Sequence, residues 1–413
     1  MNDFLQKHVR HNFIVNVSDG GFFGFAVGFA SFVTILPLFV SHMTDSALLI
    51  GLIPAIRGTG WQLPQLFIAD RVARANRYYP LVVVLTGLER FPFLGFALIA
   101  LFLPALGNTT AMALTFTLLI VQSLGAGFTS PAWQSMIARV IPPDRRGTFF
   151  GTQGAAASLM SSIGAIGAGI VLDQLGLPIN FAVCFFIAFI AVLFSWYFLA
   201  LTREPSIPSP HAESHPSAFR AELMSILRLD KNFRAYLVSR MWFQVATMGF
   251  AFYTVYAVQH LGVGVVEISV MTSVYMGTQI VANPVMGWLG DRTSHRLLLE
   301  VGALAAMVSA LLAAWATSAG WFYLIFILAG IATVAAWTIT ITMTIDFAPD
   351  PSKRPVYVGL SNTLVAPAAI LAPLFGGWLA DAASYPMSFV ASAMGGLIAW
   401  AVLRALVRDP KHT

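Results

Sequence analysis

The sequence predicts an all-α membrane protein with twelve transmembrane helices in two pseudo-symmetric six-helix bundles. Three observations predict it: predominantly apolar runs of helix-crossing length, loop arginine and lysine concentrated in alternate loops, and a repeat of residue spacing between the halves. Of the 413 residues, 58% are hydrophobic and 10% are charged, and the mean hydropathy is +0.77. A soluble domain carries roughly 25% charged residues, so the solvent of this chain is largely lipid. Lipid leaves no partner for unpaired backbone groups, so only helices or closed barrels cross it. Barrel strands alternate apolar and polar residues, whereas the stretches 81–103, 178–201 and 297–317 are continuous, predominantly apolar runs. Such lengths match the roughly twenty residues a crossing helix needs.

The expected spans of the first half are 13–41, 48–69, 80–103, 110–139, 148–172 and 178–201. Those of the second half are 234–261, 267–290, 297–317, 321–346, 356–381 and 385–407. The polar stretch 202–233 between them opens Glu-Pro-Ser-Ile-Pro-Ser-Pro, which cannot continue a helix because proline lacks the N–H. The expected domains are therefore 1–201, a linker at 202–233, and 234–413. Within the linker, Phe219–Leu229 reads as a short amphipathic helix at the membrane surface.

Loop charge sets the expected orientation. Arg71, Arg74, Arg77, Arg145, Arg146, Arg203, Arg292, Arg296, Lys353 and Arg354 all fall on one side, together with both termini. The opposite loops, near 42–47, 104–109, 173–177, 262–266, 318–320 and 382–384, carry no lysine or arginine. Both termini are expected in the cytoplasm, which requires an even number of spans. The net charge of +5 belongs to these loops, so nucleic acid is not an expected partner. Lys7 and Arg10 precede an apolar run too long for a signal-peptide core, so that run is expected to stay as the first span. The single cysteine, Cys184, excludes an intrachain disulfide and fits no metal spacing.

The halves repeat. Pro143, Arg146, Gly151, Gly169, Asp173, Pro178 and Phe181 recur as Pro351, Arg354, Gly359, Gly377, Asp381, Pro386 and Phe389, each pair 208 positions apart. Two halves related by an axis along the membrane normal are one transporter architecture.

The loop after the eighth span reads Gly287-Trp-Leu-Gly290-Asp291-Arg292-Thr-Ser-His295-Arg296. The loop after the second reads Leu66-Phe-Ile-Ala-Asp70-Arg71-Val-Ala-Arg74. The first of these resembles the major facilitator signature G-x-L-x-D-R-x-x-x-R; the other keeps the Asp-Arg pair but has Leu66 in place of the glycine. Leu36-Pro37-Leu38, and Gly125-Ala126-Gly127 followed by Pro131 and Arg146-Gly147, also resemble family patterns. The resemblance spans essentially the whole chain. It implies a secondary transporter of small molecules, with Asp70, Arg71, Gly287, Asp291, Arg292, Arg146 and Arg354 as gating residues that latch one conformational state. Two departures leave the energy source open. Val121 stands where proton-coupled members carry a membrane arginine, and Gly164, Gly167 and Gly169 lack the Gly-Pro of drug antiporters, although Ala372-Pro373-Leu374-Phe375-Gly376-Gly377 occurs in the eleventh span.

Charges inside spans cost about 2.5–3.5 kcal/mol even on mild insertion scales, so Asp19, Arg57, Glu89, Arg90 and Arg240 each need a partner or a cavity. Asp19 and Glu89 are the proton-coupling candidates. Glu89 can equally be structural glue, paired with Arg90 or Arg57. Residues four apart share a helix face. Arg57, Trp61 and Gln65 form one stripe, Arg240 and Gln244 a second, Tyr275 and Gln279 a third, and Trp337 and Thr340 a fourth. With Gln122, they are the expected substrate contacts around a central cavity. Interhelical hydrogen bonding is the plain alternative for each stripe.

No Walker loop is present, so ATP is not the expected energy source. No nucleophile–base–orienter set emerges, so neither an enzyme nor a cofactor or metal is expected. The favoured reading is proton-coupled efflux of a small amphipathic compound by alternating access across the cytoplasmic membrane, in a monomer embedded in the bilayer. Symport and antiport both remain open. Uptake or exchange of a small organic anion, using Arg57 and Arg240, is the alternative. A non-transporting receptor on the same fold is a third reading.

Overall fold

The computed structural model describes residues 2–32, 34–44, 46–208, 216–263 and 265–410. They are built from helices: α1 (Asn2–Phe29), α2 (Ile35–Ser41), α3 (Ala47–Gln62), α4 (Gln65–Ala73), α5 (Tyr79–Leu101), α6 (Leu103–Leu106), α7 (Asn108–Val140), α8 (Arg146–Gln174) and α9 (Ile179–Ala200), then α10 (Pro216–Leu229), α11 (Lys231–Thr247), α12 (Phe250–Leu261), α13 (Val265–Arg292), α14 (His295–Trp315), α15 (Gly320–Val334), α16 (Thr340–Asp346), α17 (Arg354–Ala382) and α18 (Tyr385–Leu406). Among the described residues, eight helical stretches are apolar and long enough to cross a membrane unbroken.

Three further expected spans, read as continuous from the sequence, are interrupted. The span 13–41 divides between α1 and α2 around Ser31–Thr34, and 48–69 divides at Leu63-Pro64. The span 234–261 divides at Met248-Gly249. At the second break, the Gln65 Nε2 donates to the Trp61 carbonyl at 2.8 Å, supplying a bond that the broken helix cannot. That gives Gln65 a structural task. Gln65 is also fully buried. The linker contains α10 over the stretch where an amphipathic helix is expected, and residues 209–215 lie outside the described set.

The chain forms two compact units. One comprises Met1–Pro142, Ala156–Glu213 and Asp350–Gly359; the other comprises Pro143–Ala155, Ser214–Pro349 and Leu360–Thr413. The first ten residues of α8, about three turns, and the start of α17 thus belong to a different unit from the rest of their helices.

In the first unit α1 packs on α9, α5 on α7 and α9, and α3 on α7. Phe39, Phe96, Phe181 and Phe185 form its aromatic centre, with Phe39 and Phe185 rings 5.4 Å apart. In the second unit α14 packs on α15 and α18, and α11 on α18. Its centre is Tyr253, Tyr256, Phe322 and Phe389. Phe181 and Phe389, equivalent in the repeat, are both buried at these centres. Lipid gives no hydrophobic drive for helix association, so small residues that permit close approach must supply it. A Cβ at Gly24 or Gly28 would overlap the backbone of Ala157 or Ser161 on α8, which shows how closely α1 and α8 meet.

Candidate gate and buried polar site

The second Asp-Arg loop is tied into a buried polar cluster. Asp291, at the end of α13, accepts the N–H groups of Gly147 at 2.7 Å and Thr148 at 2.6 Å. These are two of the unpaired donors that every helix N-terminus carries, here those of α8, so the carboxylate caps it and meets the positive end of its dipole. Gly287 lies one turn earlier. A Cβ there would overlap the Gly147 carbonyl, and one on Gly147 would overlap Gly287. Gly151 meets the Asn283 backbone in the same way. A side chain at any of these glycines would force the helices apart.

Behind the cap, His295 is fully buried, with Nδ1 2.7 Å from Asp346 Oδ2 and Nε2 3.8 Å from Asp291 Oδ1. Arg146 lies 3.9 Å from the other Asp346 oxygen. Of the expected gating residues, Gly287, Asp291 and Arg146 therefore come together. Arg292 instead stacks over Trp288 at 4.0 Å. Sequence reasoning passed over His295 as one of several loop histidines. Its signal was the spacing: four residues after Asp291, one helical turn on.

The first loop differs. Asp70 is bound by Arg74 through Nη2 at 2.6 Å and Nε at 3.0 Å, within α4 itself. Arg71 is exposed. Arg354, the repeat counterpart of Arg146, donates to the Ala138 carbonyl at 3.0 Å. Gly359, the counterpart of Gly151, faces Gln65, Leu66 and Ala69 of α4.

The intramembrane charges of the first unit form two pairs. Arg90 donates to Asp19 at 3.0 Å and to Ser195 Oγ at 2.8 Å, and Ser195 donates to Asp19 at 2.5 Å, joining α5, α1 and α9. Arg57 lies 3.7 Å from Glu89 and 5.2 Å above the Phe32 ring. Of the two expected partners for Glu89, the structure selects Arg57. Neighbouring helical residues do not face one another, which is why Glu89 and Arg90 pair outward in different directions. Removing one partner of such a buried pair costs about 3–5 kcal/mol.

Two buried amides on membrane helices, Asn16 of α1 and Gln122 of α7, also differ. Asn16 is bonded to the Asn12 carbonyl and to Thr202. Gln122 is fully buried, and neither end of its amide has a partner. One Arg57 nitrogen and the Ser123 hydroxyl are likewise unsatisfied. Ser123 abuts Gly60 on α3, and Gly60 lies one turn past Arg57 and beside Trp61. Buried polar groups without partners cost about 1–3 kcal/mol each and so mark places where a ligand or water would bond.

In the second unit, Arg240 of α11 reaches α17. Its Nη1 donates to the Ser361 carbonyl at 2.9 Å and hydroxyl at 2.5 Å, and Nη2 to Asn362 at 3.2 Å. Tyr236 lies one turn before it and bonds Thr344 at 2.8 Å. Every polar partner of this guanidinium among the described residues is neutral. Arg240, Gln244 and Thr340 line a cavity of about 10 Å3, close to the volume one water needs. Tyr275 bonds Thr333 at 3.0 Å, and the Gln279 carbonyl takes Asn283 at 2.9 Å.

One stripe is corrected. Trp337 is 54% exposed, whereas Thr340 and Thr344 are buried. Ala335–Ile339 forms a π-turn, which inserts an extra residue into the helix and rotates Trp337 off the face that the α-helical period assigns to it.

A further contact had only weak sequence signal. Glu204, just after α9, accepts the N–H groups of Tyr78 at 3.1 Å and Tyr79 at 2.7 Å, and Arg139 at 3.1 Å. It caps α5 as Asp291 caps α8. Burial raises its carboxyl above the ordinary value, against the pull of both N–H donors and the Arg139 guanidinium.

The Major Facilitator Superfamily profile matches residues 86–259 and 242–413. The chain belongs to that superfamily. It is a multi-pass membrane transporter of the major facilitator fold, not an enzyme. The fold is similar to that of the fucose:proton symporter FucP of E. coli, at 15% identity and a TM-score of 0.77, covering 96% of this chain and 98% of that one. It is also similar to the proton:xylose symporter XylE, at 14% identity and a TM-score of 0.74, covering 98% and 97%. An 87-residue segment is 33% identical to an uncharacterized transporter of this type from Mycobacterium tuberculosis, covering 21% of this chain and 15% of that protein's length.

Proposed function

We propose that this transporter moves a small organic anion across the cytoplasmic membrane by alternating access, with Arg240 as the counter-charge. The observation that carries the reading is the guanidinium held only by neutral oxygens. A buried charge without a counter-ion is costly, and a substrate carboxylate or phosphate would offset that cost. Arg57 already has Glu89. In this reading Asp70, Arg71, Gly287, Asp291, Arg292, Arg146 and Arg354 serve the gate, the termini lie in the cytoplasm, and the monomer is the working unit.

The test is uptake of a panel of labelled anions and neutral compounds into liposomes containing the purified chain. Arg240→Gln is expected to lower anion transport about tenfold, equivalent to roughly 1.4 kcal/mol, while Arg240→Lys keeps most of it. If Arg240 only ties α11 to α17, Arg240→Gln lowers thermal stability and leaves the preference for anions unchanged, and the reading fails.

Proton-coupled export of an amphipathic compound is the second reading. It is favoured by the buried carboxylates of Asp19 and Glu89, each beside one guanidinium. Rescue of growth on toxic compounds by the intact protein, lost in Asp19→Asn, supports it over anion uptake.

A further inference from the structure

An open groove of about 430 Å3 lies between the start of α14 and the end of α18, on the arginine-bearing side of the second unit. It takes no part in the gate or in the Arg240 cluster. Three arginines line it: Arg296, Arg404 and Arg408. The buried carboxylate of Glu300 holds the first two side by side, 2.8 Å from Arg296 Nε and 3.8 Å from Arg404 Nη1. Arg296 also donates to the Arg404 carbonyl at 3.3 Å.

The chain after α18 is folded back and pinned so that it forms the groove's far wall. Asn232 clamps the Arg408 backbone from both sides: its Oδ1 accepts the Arg408 N–H at 2.7 Å, and its Nδ2 donates to the Arg408 carbonyl at 2.9 Å. The Ser294 hydroxyl, which also caps α14, bonds Asp409. The Arg408 side chain is thereby presented from a fixed backbone. Three guanidiniums face two carboxylates, which leaves one positive charge and many unused N–H donors, since each guanidinium carries five. Leu297, which lines the groove, and Val301, one turn further along the same face of α14, are exposed large apolar side chains.

We propose that this groove binds the phosphate of an anionic phospholipid, with the headgroup among Arg296, Arg404 and Arg408 and the acyl chains along Leu297 and Val301 of α14. Arginine forks suit phosphate oxygens, and basic clusters where helices leave the bilayer attract anionic headgroups. Free phosphate shares the recognition chemistry but would gain nothing from the apolar strip.

The test is the thermal unfolding midpoint of the delipidated full chain in detergent, with phosphatidylglycerol, phosphatidylcholine or inorganic phosphate added. Phosphatidylglycerol is expected to raise the midpoint well above phosphatidylcholine, because a ligand of the folded state stabilises it. The double variant Arg404→Gln/Arg408→Gln is expected to lose more than half of that shift, whereas Arg404→Lys/Arg408→Lys retains most of it. Both positions are exposed, so neither pair disturbs packing. An undiminished phosphatidylglycerol shift in the glutamine variant overturns the proposal, as does no shift with phosphatidylglycerol. An equal shift with inorganic phosphate alone overturns the lipid as the source and assigns the groove to free phosphate.

Discussion

The two Asp-Arg loops began as copies, and they now do different work. In the second, Asp291 caps a helix 143 and 144 residues away in sequence, and a buried histidine and aspartate back it. In the first, Asp70 is spent on its own helix through Arg74. The repeat explains why. The residue equivalent to Gly147 is Pro355, which has no N–H to donate, and Leu66 stands where the second loop has Gly287. One of the two cap donors, and the glycine that gives room for close approach, are thus absent from the first copy. A motif is therefore only half of a latch, and the helix start that it meets is the other half.

The largest expected effect comes from removing the cap. Asp291→Ala should destabilise the purified protein by about 3 kcal/mol, since two charge-assisted hydrogen bonds are lost, each worth roughly 1.5–3 kcal/mol. Asp70→Ala should cost less than about 1 kcal/mol, the range of partly exposed pairs. Thermal unfolding of both variants in detergent checks this, and equal losses would erase the contrast. Next is Gly287→Ala. Its new methyl group overlaps the Gly147 carbonyl, so a cost of about 1–3 kcal/mol is expected from overpacking, with transport in liposomes slowed in parallel. An alanine accepted there without change would show that close approach is not what the glycine provides.

His295→Gln should cost about 1–2 kcal/mol, because the 2.7 Å contact of Nδ1 with the Asp346 carboxyl is lost. His295→Arg would install at the same spacing the residue type that loop one carries at Arg74. If the two variants behave alike in transport across a pH series, the imidazole contributes packing alone. Smallest is Arg74→Gln, expected at about 0.3–0.5 kcal/mol for an i,i+4 pair, read from the same unfolding curves. A loss as large as that of Asp291→Ala would place the first loop in the gate on equal terms.

Much of the fold could be read along the chain. Spans, breaks and the 208-residue repeat are local or periodic properties, and α7, α8, α9, α14, α17 and α18 lie within a few residues of their expected bounds. The breaks at Leu63-Pro64 and Met248-Gly249 went unread because the flanking sequence stays apolar. The site was legible in type rather than in partnership. Asp19, Glu89, Arg57 and Arg240 stood out because charge is expensive in lipid. Gln122 and Asn16 looked alike in sequence, yet Asn16 is satisfied by Thr202 from the far end of the bundle and Gln122 is not.

By itself, then, the sequence determined that this chain lives in lipid, that it is built from two repeated sets of helices, and that its second Asp-Arg loop has the glycines a close contact requires. Those conclusions follow from length, composition and spacing, which the backbone's need for internal hydrogen bonds translates directly into helices. Only the tertiary structure decided that Asp19 takes Arg90 and Glu89 takes Arg57, that His295 stands behind Asp291, and that a π-turn removes Trp337 from the Thr340 face. Hydrogen bonds and ion pairs act over a few ångströms, and which groups come that close depends on how helices distant in sequence are packed.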